Sequence, residues 1–175
     1  MNCSGIDAQT GAAVEVEFDR VIRATEHLIS PPRDLPLLAP GFIDLQVNGF
    51  AGVDYNSPGT SHEAIGESLR AMFATGVTRC LPTIITSSPE NIVGALRNLA
   101  RARQALPEGP AMEGFHVEGP HISPDDGPRG AHPARWVRPP DIEEFHRWQD
   151  AAEGHVRMVT VAPEWPEAAG YIEAL

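Results

Sequence analysis

Cysteine is scarce in this sequence. Cys3 and Cys80 are two among 175 residues, too far apart for the paired spacing of a zinc knuckle and too few for a secreted disulfide scaffold. A reducing compartment, the cytosol, is the expectation. Long apolar runs are missing as well: no window approaches the roughly 18 consecutive apolar residues that cross a bilayer. The opening MNCSGIDAQTG has neither the basic segment nor the apolar stretch of a signal peptide. Basic residues are few, 13 Lys plus Arg against 24 Asp plus Glu, for a net charge of −11. That balance opposes attraction to phosphate backbones and anionic lipid, so neither nucleic acid nor a membrane is expected as partner. Nucleotide signatures are absent too. The first strand-like run is followed by NGFAGVDYN rather than G-x-G-x-x-G, and no G-x-x-x-x-G-K-[ST] occurs.

What is present suits a folded chain of about one domain's length. The apolar fraction of 42% excludes a disordered polymer, while 16 glycines and 17 prolines predict frequent breaks between short elements. Val14, Val16 and Phe18 alternate with Glu15, Glu17 and Asp19, the period of a half-buried strand. SPPRDLPLLAP, with four prolines in eleven residues, then ends regular structure near Pro40. A small β-rich segment, residues 1–39, is therefore expected before the boundary.

Beyond it, strand-like runs at 41–47, 78–86, 111–119 and 156–162 alternate with helical patterns. The first helix, 62–75, is capped by Thr60 or Ser61 and buries Ile65, Leu69, Met72 and Phe73. In the second, 89–105, Ser87 or Ser88 caps, Pro89 opens, and Ile92, Val93, Leu96, Leu99 and Ala100 form the stripe. A third opens at Pro140 with Ile142, Phe145 and Trp148 inward, and PEWPEAAGYIEAL starts a fourth. Four strand-helix units at a spacing of roughly 35 residues fit parallel βαβ units. They make half of an eight-unit barrel or most of a doubly wound sheet. A barrel predicts polar residues at the C-terminal strand ends, and Gln46, Asn48, Thr83, Thr86, Glu118 and Glu164 stand there. Half a barrel leaves an unclosed sheet, so residues 40–175 read as the first four units of a longer protein.

The densest polar cluster is FHVEGPHISPDDGPRGAHPARW, with His116, His121 and His132. Alternation turns His116 and Glu118 to one face and Phe115 and Val117 to the other. Glu118 either caps loop amides or pairs with Arg129, or else offers a hard oxygen to a divalent ion such as zinc. No other two ligands stand at a recognisable spacing. His132 lies in the loop, where it either reaches a ligand or is an ordinary surface residue. His116 reads as a packed, hydrogen-bonded residue, and His62, His146 and His155 as surface. Gln46 and Asn48 point to one side, either bonding backbone or touching a ligand's surroundings without holding a metal directly.

Taken together, PGFIDLQVNGFAG, GVTRCLPTIIT, GFHVEGPHISPDDGPRGAHP and VTVAPE resemble the N-acetylglucosamine-6-phosphate deacetylase family of the amidohydrolase superfamily, over about residues 13 to 175. The resemblance implies a metal-dependent α/β enzyme, a (β/α)8 barrel with a small β-sandwich, present here as an N-terminal fragment. It implies hydrolysis of the acetamide of N-acetyl-D-glucosamine 6-phosphate to glucosamine 6-phosphate and acetate by a cytoplasmic homodimer. Carried onto this sequence, Glu118 of HVEGP is the metal ligand and Ala131 and His132 of GAH bind the sugar phosphate. Gln46-Val-Asn48 stands where much of the superfamily has His-x-His for a second metal, which implies one divalent ion, zinc, per subunit. Two histidine ligands and a catalytic aspartate would lie beyond Leu175, leaving the fragment inactive. The alternatives are another amidohydrolase acting on a different amide or cyclic amide, and a degenerate relative without catalysis.

Overall fold

Strands β1 (Asn2–Asp7), β2 (Ala13–Phe18), β3 (Ile22–His27) and β4 (Leu37–Leu38) form a sheet of order β3-β2-β1-β4 in the computed structural model, which describes residues 1–175. β1, β2 and β3 pair antiparallel, and β4 runs parallel to β1. Val14 and Val16 are buried while Glu17 is exposed, as their alternation requires, and Phe18 is half-buried. The Asp7 carboxylate accepts from the Gln9 and Thr10 amides at 2.8 and 3.0 Å and turns β1 into β2. Proline holds β4 to two residues. It packs against Gly5, where a side-chain carbon would sit 2.9 Å from the Pro36 carbonyl oxygen.

Contacts divide the chain after Gly41. The second unit, Phe42–Leu175, opens with β5 (Phe42–Val47) and a hairpin of β6 (Gly49–Phe50) and β7 (Val53–Asp54). Ala51 and Gly52 both have positive φ, 53° and 83°, as a tight two-residue reversal needs. Then follow α1 (His62–Phe73), β8 (Val77–Ile85), α2 (Pro89–Ala105), β9 (Phe115–Glu118), α3 (Ile142–Ala151), β10 (Val156–Thr160) and α4 (Ala168–Ala174). The four longer strands form a parallel sheet of order β10-β9-β8-β5, so space follows chain order with a helix between successive strands. The strand order never reverses, and these strands therefore contain no switch point of a doubly wound sheet.

Helices begin where hydroxyls can cap them. The Ser61 and Ser88 side chains accept from the amides of Ala64 and Asn91, each at 3.2 Å, and Pro89 occupies the first turn of α2. The core is the expected stripe: Ile65, Leu69 and Met72 of α1 and Ile92, Leu96 and Leu99 of α2 pack with Ile84, Phe115, Val117 and Trp148. Several expectations need correcting. Phe73, in the last turn of α1, is 37% exposed, and Val93 is half-buried at the edge of its stripe. The third strand starts at Phe115 rather than Ala111, because Gly109–Ala111 wind a 3-10 turn around Pro110. Pro140 lies before α3, which Asp141 caps by accepting from the Glu143 amide at 3.0 Å. The fourth strand ends at Thr160, two residues early.

Candidate functional site

At the C-terminal ends of the parallel strands, alternation sorts the side chains of β9. Phe115 and Val117 are fully buried in the core, and His116 and Glu118 lie on the opposite face. Nε2 of His116 is 2.8 Å from the Thr160 hydroxyl and Nδ1 is 3.5 Å from that of Thr83, tying β8, β9 and β10 together. Burial pushes the His116 pKa down against the opposing pull of the Glu118 charge. His116 is thus the packed, hydrogen-bonded residue that its position suggested.

Glu118 is where three segments meet. The Gln46 side-chain amide donates to its Oε2 at 2.6 Å. Its Oε1 accepts no hydrogen bond and faces Nε2 of His132 at 4.0 Å, with the two side chains 21% and 18% exposed. On the other side of that ring, Nδ1 lies 2.8 Å from the Thr86 hydroxyl. Gly119, with φ of +86°, turns the chain out of β9, and a side-chain carbon there would collide with the Thr86 hydroxyl. The pairing of Glu118 with Arg129 does not form. Arg129 instead bonds Asp126 at 2.8 Å and the His132 carbonyl at 3.0 Å, which braces the loop that carries His132.

Other expected residues lie apart from this cluster. Asn48 is exposed, and only its carbonyl is engaged, accepting from the Tyr55 amide at 3.1 Å and the Asn56 side chain at 3.2 Å. Ala131 is exposed beside His132. Glu164 is exposed and hydrogen-bonded by Ser123, which holds its carboxyl below the usual range. His146 is exposed, but His62 and His155 are half-buried; the His155 ring folds back 3.1 Å from the Ala152 carbonyl. His121 is fully buried against Trp148 and Tyr171.

Three residues missed in the sequence support the site. Asn56 accepts from the Ile85 amide at 2.8 Å and donates to the Asn48 and Thr83 carbonyls at 3.2 and 3.3 Å, fastening the ends of β5 and β8. Arg138 forks onto the buried Glu144 carboxylate at 2.8 and 2.5 Å and donates to the Ser87 carbonyl at 3.2 Å, bringing the long loop back to the end of β8. The one available signal was Glu144 itself, an acid on the inward side of an amphipathic helix.

Chemically, the cluster offers a free carboxylate oxygen with an imidazole beside it at a partly open strand end. A hard oxygen of this kind fits one ligand position of a divalent ion. No three His, Cys, Asp or Glu side chains of this chain converge to complete such a set. The arrangement can therefore contribute to a metal centre and to substrate contact without forming a whole site.

The sequence profile described as "Amidohydrolase family" matches residues 37–174. The N-acetylglucosamine-6-phosphate deacetylase of Bacillus subtilis (strain 168) is 40% identical over 140 residues, 78% of this chain and 34% of that protein. The Mus musculus enzyme of the same name is 39% identical over 144 residues, 79% of this chain and 34% of the relative. The crystal structure of N-acetyl-D-glucosamine-6-phosphate deacetylase from Mycobacterium smegmatis superposes with a TM-score of 0.81 at 28% identity, covering 100% of this chain and 51% of that one. The chain thus spans about a third of the length of these curated relatives, 34%. Its mixed α/β fold resembles that of the solved deacetylase. Because the profile runs through Gln46, Thr86, Glu118 and His132 alike, the strand-end cluster and the parallel strands that build it are of one lineage: the chain belongs to the amidohydrolase family.

Proposed function

We propose that the whole protein to which these residues belong hydrolyses the acetamide of N-acetyl-D-glucosamine 6-phosphate to glucosamine 6-phosphate and acetate. The observation that carries this reading is the convergence of Gln46, Glu118 and His132 at the ends of parallel strands. The deacetylases that the chain resembles are its support in sequence. In this reading Phe42–Leu175 is the first half of a (β/α)8 barrel, favoured by the sequential strand order, and Met1–Gly41 is part of a small β-sandwich. The protein works in the cytoplasm as a homodimer on a small amino-sugar phosphate.

Glu118 would hold one divalent ion, zinc, with the other ligands supplied from outside these residues. When bound, the ion supplies Lewis acidity toward the acetamide carbonyl and acidifies a water molecule. Gln46 steadies the carboxylate by donating to Oε2, and Asn48 lines the same strand end. Ala131 and His132 contact the sugar phosphate from the loop, and His132 orients it beside Glu118. The test is kcat/KM of the whole protein on N-acetylglucosamine 6-phosphate and on the unphosphorylated sugar. The phosphorylated substrate is preferred, and His132→Asn lowers kcat/KM by roughly tenfold or more with metal content unchanged. Equal rates on both sugars, or a His132→Asn protein with parental kcat/KM, would defeat the reading.

A further inference from the structure

We propose that Thr86 is a positioning residue: its hydroxyl donates to Nδ1 of His132 and holds the ring as the Nε2–H tautomer, with that N–H aimed at the space beside Glu118. The inference rests on the reading above and deepens it. His132 then meets the substrate as a hydrogen-bond donor, and the nitrogen that faces Glu118 is not a metal ligand.

A neutral imidazole carries one N–H and one lone pair, so the partner of one nitrogen fixes the role of the other. Nδ1 is 2.8 Å from the Thr86 hydroxyl, which has no other hydrogen-bond partner and is buried. Nε2 faces Oε1 of Glu118 at 4.0 Å, too far for a direct hydrogen bond. Were Nδ1–H the donor, the hydrogen of the buried Thr86 hydroxyl would be left without an acceptor. With the proton on Nε2, Nδ1 is the acceptor and Thr86 must donate.

The surroundings hold both ends of this arrangement. Thr86 follows Ile85, whose amide is bound by Asn56 at 2.8 Å, and Gly119 leaves room for the hydroxyl by lacking a side chain. On the loop, Arg129 grips the His132 carbonyl at 3.0 Å. Nε2–H is then left to donate to an acceptor oxygen of the substrate at the strand end.

The test is the 15N chemical shift of the two His132 ring nitrogens in the 175-residue chain, at a pH where the ring is neutral, with His132→Asn used to assign them. The parent gives a lone-pair shift at Nδ1 and a protonated shift at Nε2. In Thr86→Val, of nearly the same shape, the two values move toward each other as the tautomers mix, while Thr86→Ser restores the parental pair. The His121 ring shifts stay at parental values in both variants, which separates loss of positioning from a collapsed fold. A protonated shift at Nδ1 in the parent, or parental shifts in Thr86→Val, would overturn the proposal. In the whole protein, Thr86→Val lowers kcat/KM about tenfold, the size of one lost hydrogen bond to a neutral group, and Thr86→Ser stays within about twofold of the parent. A whole protein without deacetylase activity would sink the functional reading and leave the tautomer result to decide this one.

Discussion

Buried against Trp148 and Tyr171 with ring centroids 5.1 and 5.4 Å away, His121 has only one weak polar partner, the Arg138 carbonyl, 3.4 Å from Nδ1. Its Nε2 has none. Burial pushes the His121 pKa down; the Glu144 and Asp141 charges and the bond to the Arg138 carbonyl pull it up, and the Arg138 cation pushes it down further. The folded ring therefore binds a proton less readily than the unfolded one. Stability from this source is fully present above the unfolded histidine pKa of about 6.5 and is lost as pH falls through it. His121→Phe keeps an aromatic ring against its two neighbours and removes the unpaired nitrogen, which costs about 1–3 kcal/mol when buried. The variant is expected to melt above the parent at pH 8 and by a wider margin at pH 5. Thermal unfolding at the two pH values decides the matter, and an equal margin would show that His121 does not contribute to the acid sensitivity.

Elements were legible in the sequence to the extent that their marks are local. Helix α2 runs Pro89–Ala105, the expected span, because Ser88, Pro89 and the 3.6-residue stripe are read within one segment. Ser88→Ala removes the cap and should lower stability by about 1 kcal/mol in urea unfolding, with an unchanged midpoint excluding a role for the hydroxyl. The third strand is shorter than its sequence suggests because Ala111 and Met112 look alike in a strand and in an irregular approach to one. What separates them is tertiary: the Arg103 guanidinium takes the Met112 carbonyl at 2.7 Å. The meeting of Gln46 with Glu118 could be anticipated from strand ends and side-chain alternation. The bonds of Asn56 to Thr83 and of Arg138 to Ser87 could not, since these partners are backbone carbonyls in distant segments and carry no periodic mark. Glu144 is the most testable of these hidden supports. Its side chain is 3% exposed, and Glu144→Gln leaves the Arg138 fork without its counter-charge, at a cost of about 3 kcal/mol. The same change should loosen the return of the loop, read as faster amide hydrogen exchange over residues 130–138. Parental exchange there would separate the ion pair from the loop.

At the scale of the whole molecule, each unit carries one free cysteine, Cys3 in Met1–Gly41 and Cys80 in Phe42–Leu175. Burial, with Asp44 nearby, pushes the Cys80 thiol up to about 12. A thiolate-seeking reagent at neutral pH should therefore label the half-buried Cys3 first and reach Cys80 only when its unit opens. Rapid labelling of both in the native protein would contradict the packing of the parallel sheet.

Metal stoichiometry belongs to the same scale, since in the proposed reading Glu118 is joined by ligands from outside this chain. A second ion beside the first needs strong ligands of its own, such as a pair of imidazoles at the first strand end. Here Oε2 of Glu118 is taken by Gln46 at 2.6 Å, and the first strand ends in the amides of Gln46 and Asn48, weak ligands beside imidazole. The whole protein should bind one divalent ion per subunit. Glu118→Gln keeps the shape but replaces the anionic oxygen by an amide, so the ion should be retained far less well, by roughly tenfold or more in affinity. Gln46→Ala leaves Glu118 both oxygens but less well oriented, and should weaken the ion without changing the count. Metal analysis of the three purified proteins after dialysis against a weak chelator is the measurement. Two tightly held ions in the parent would overturn the single-ion reading, and full occupancy in Glu118→Gln would remove Glu118 from the ligand set.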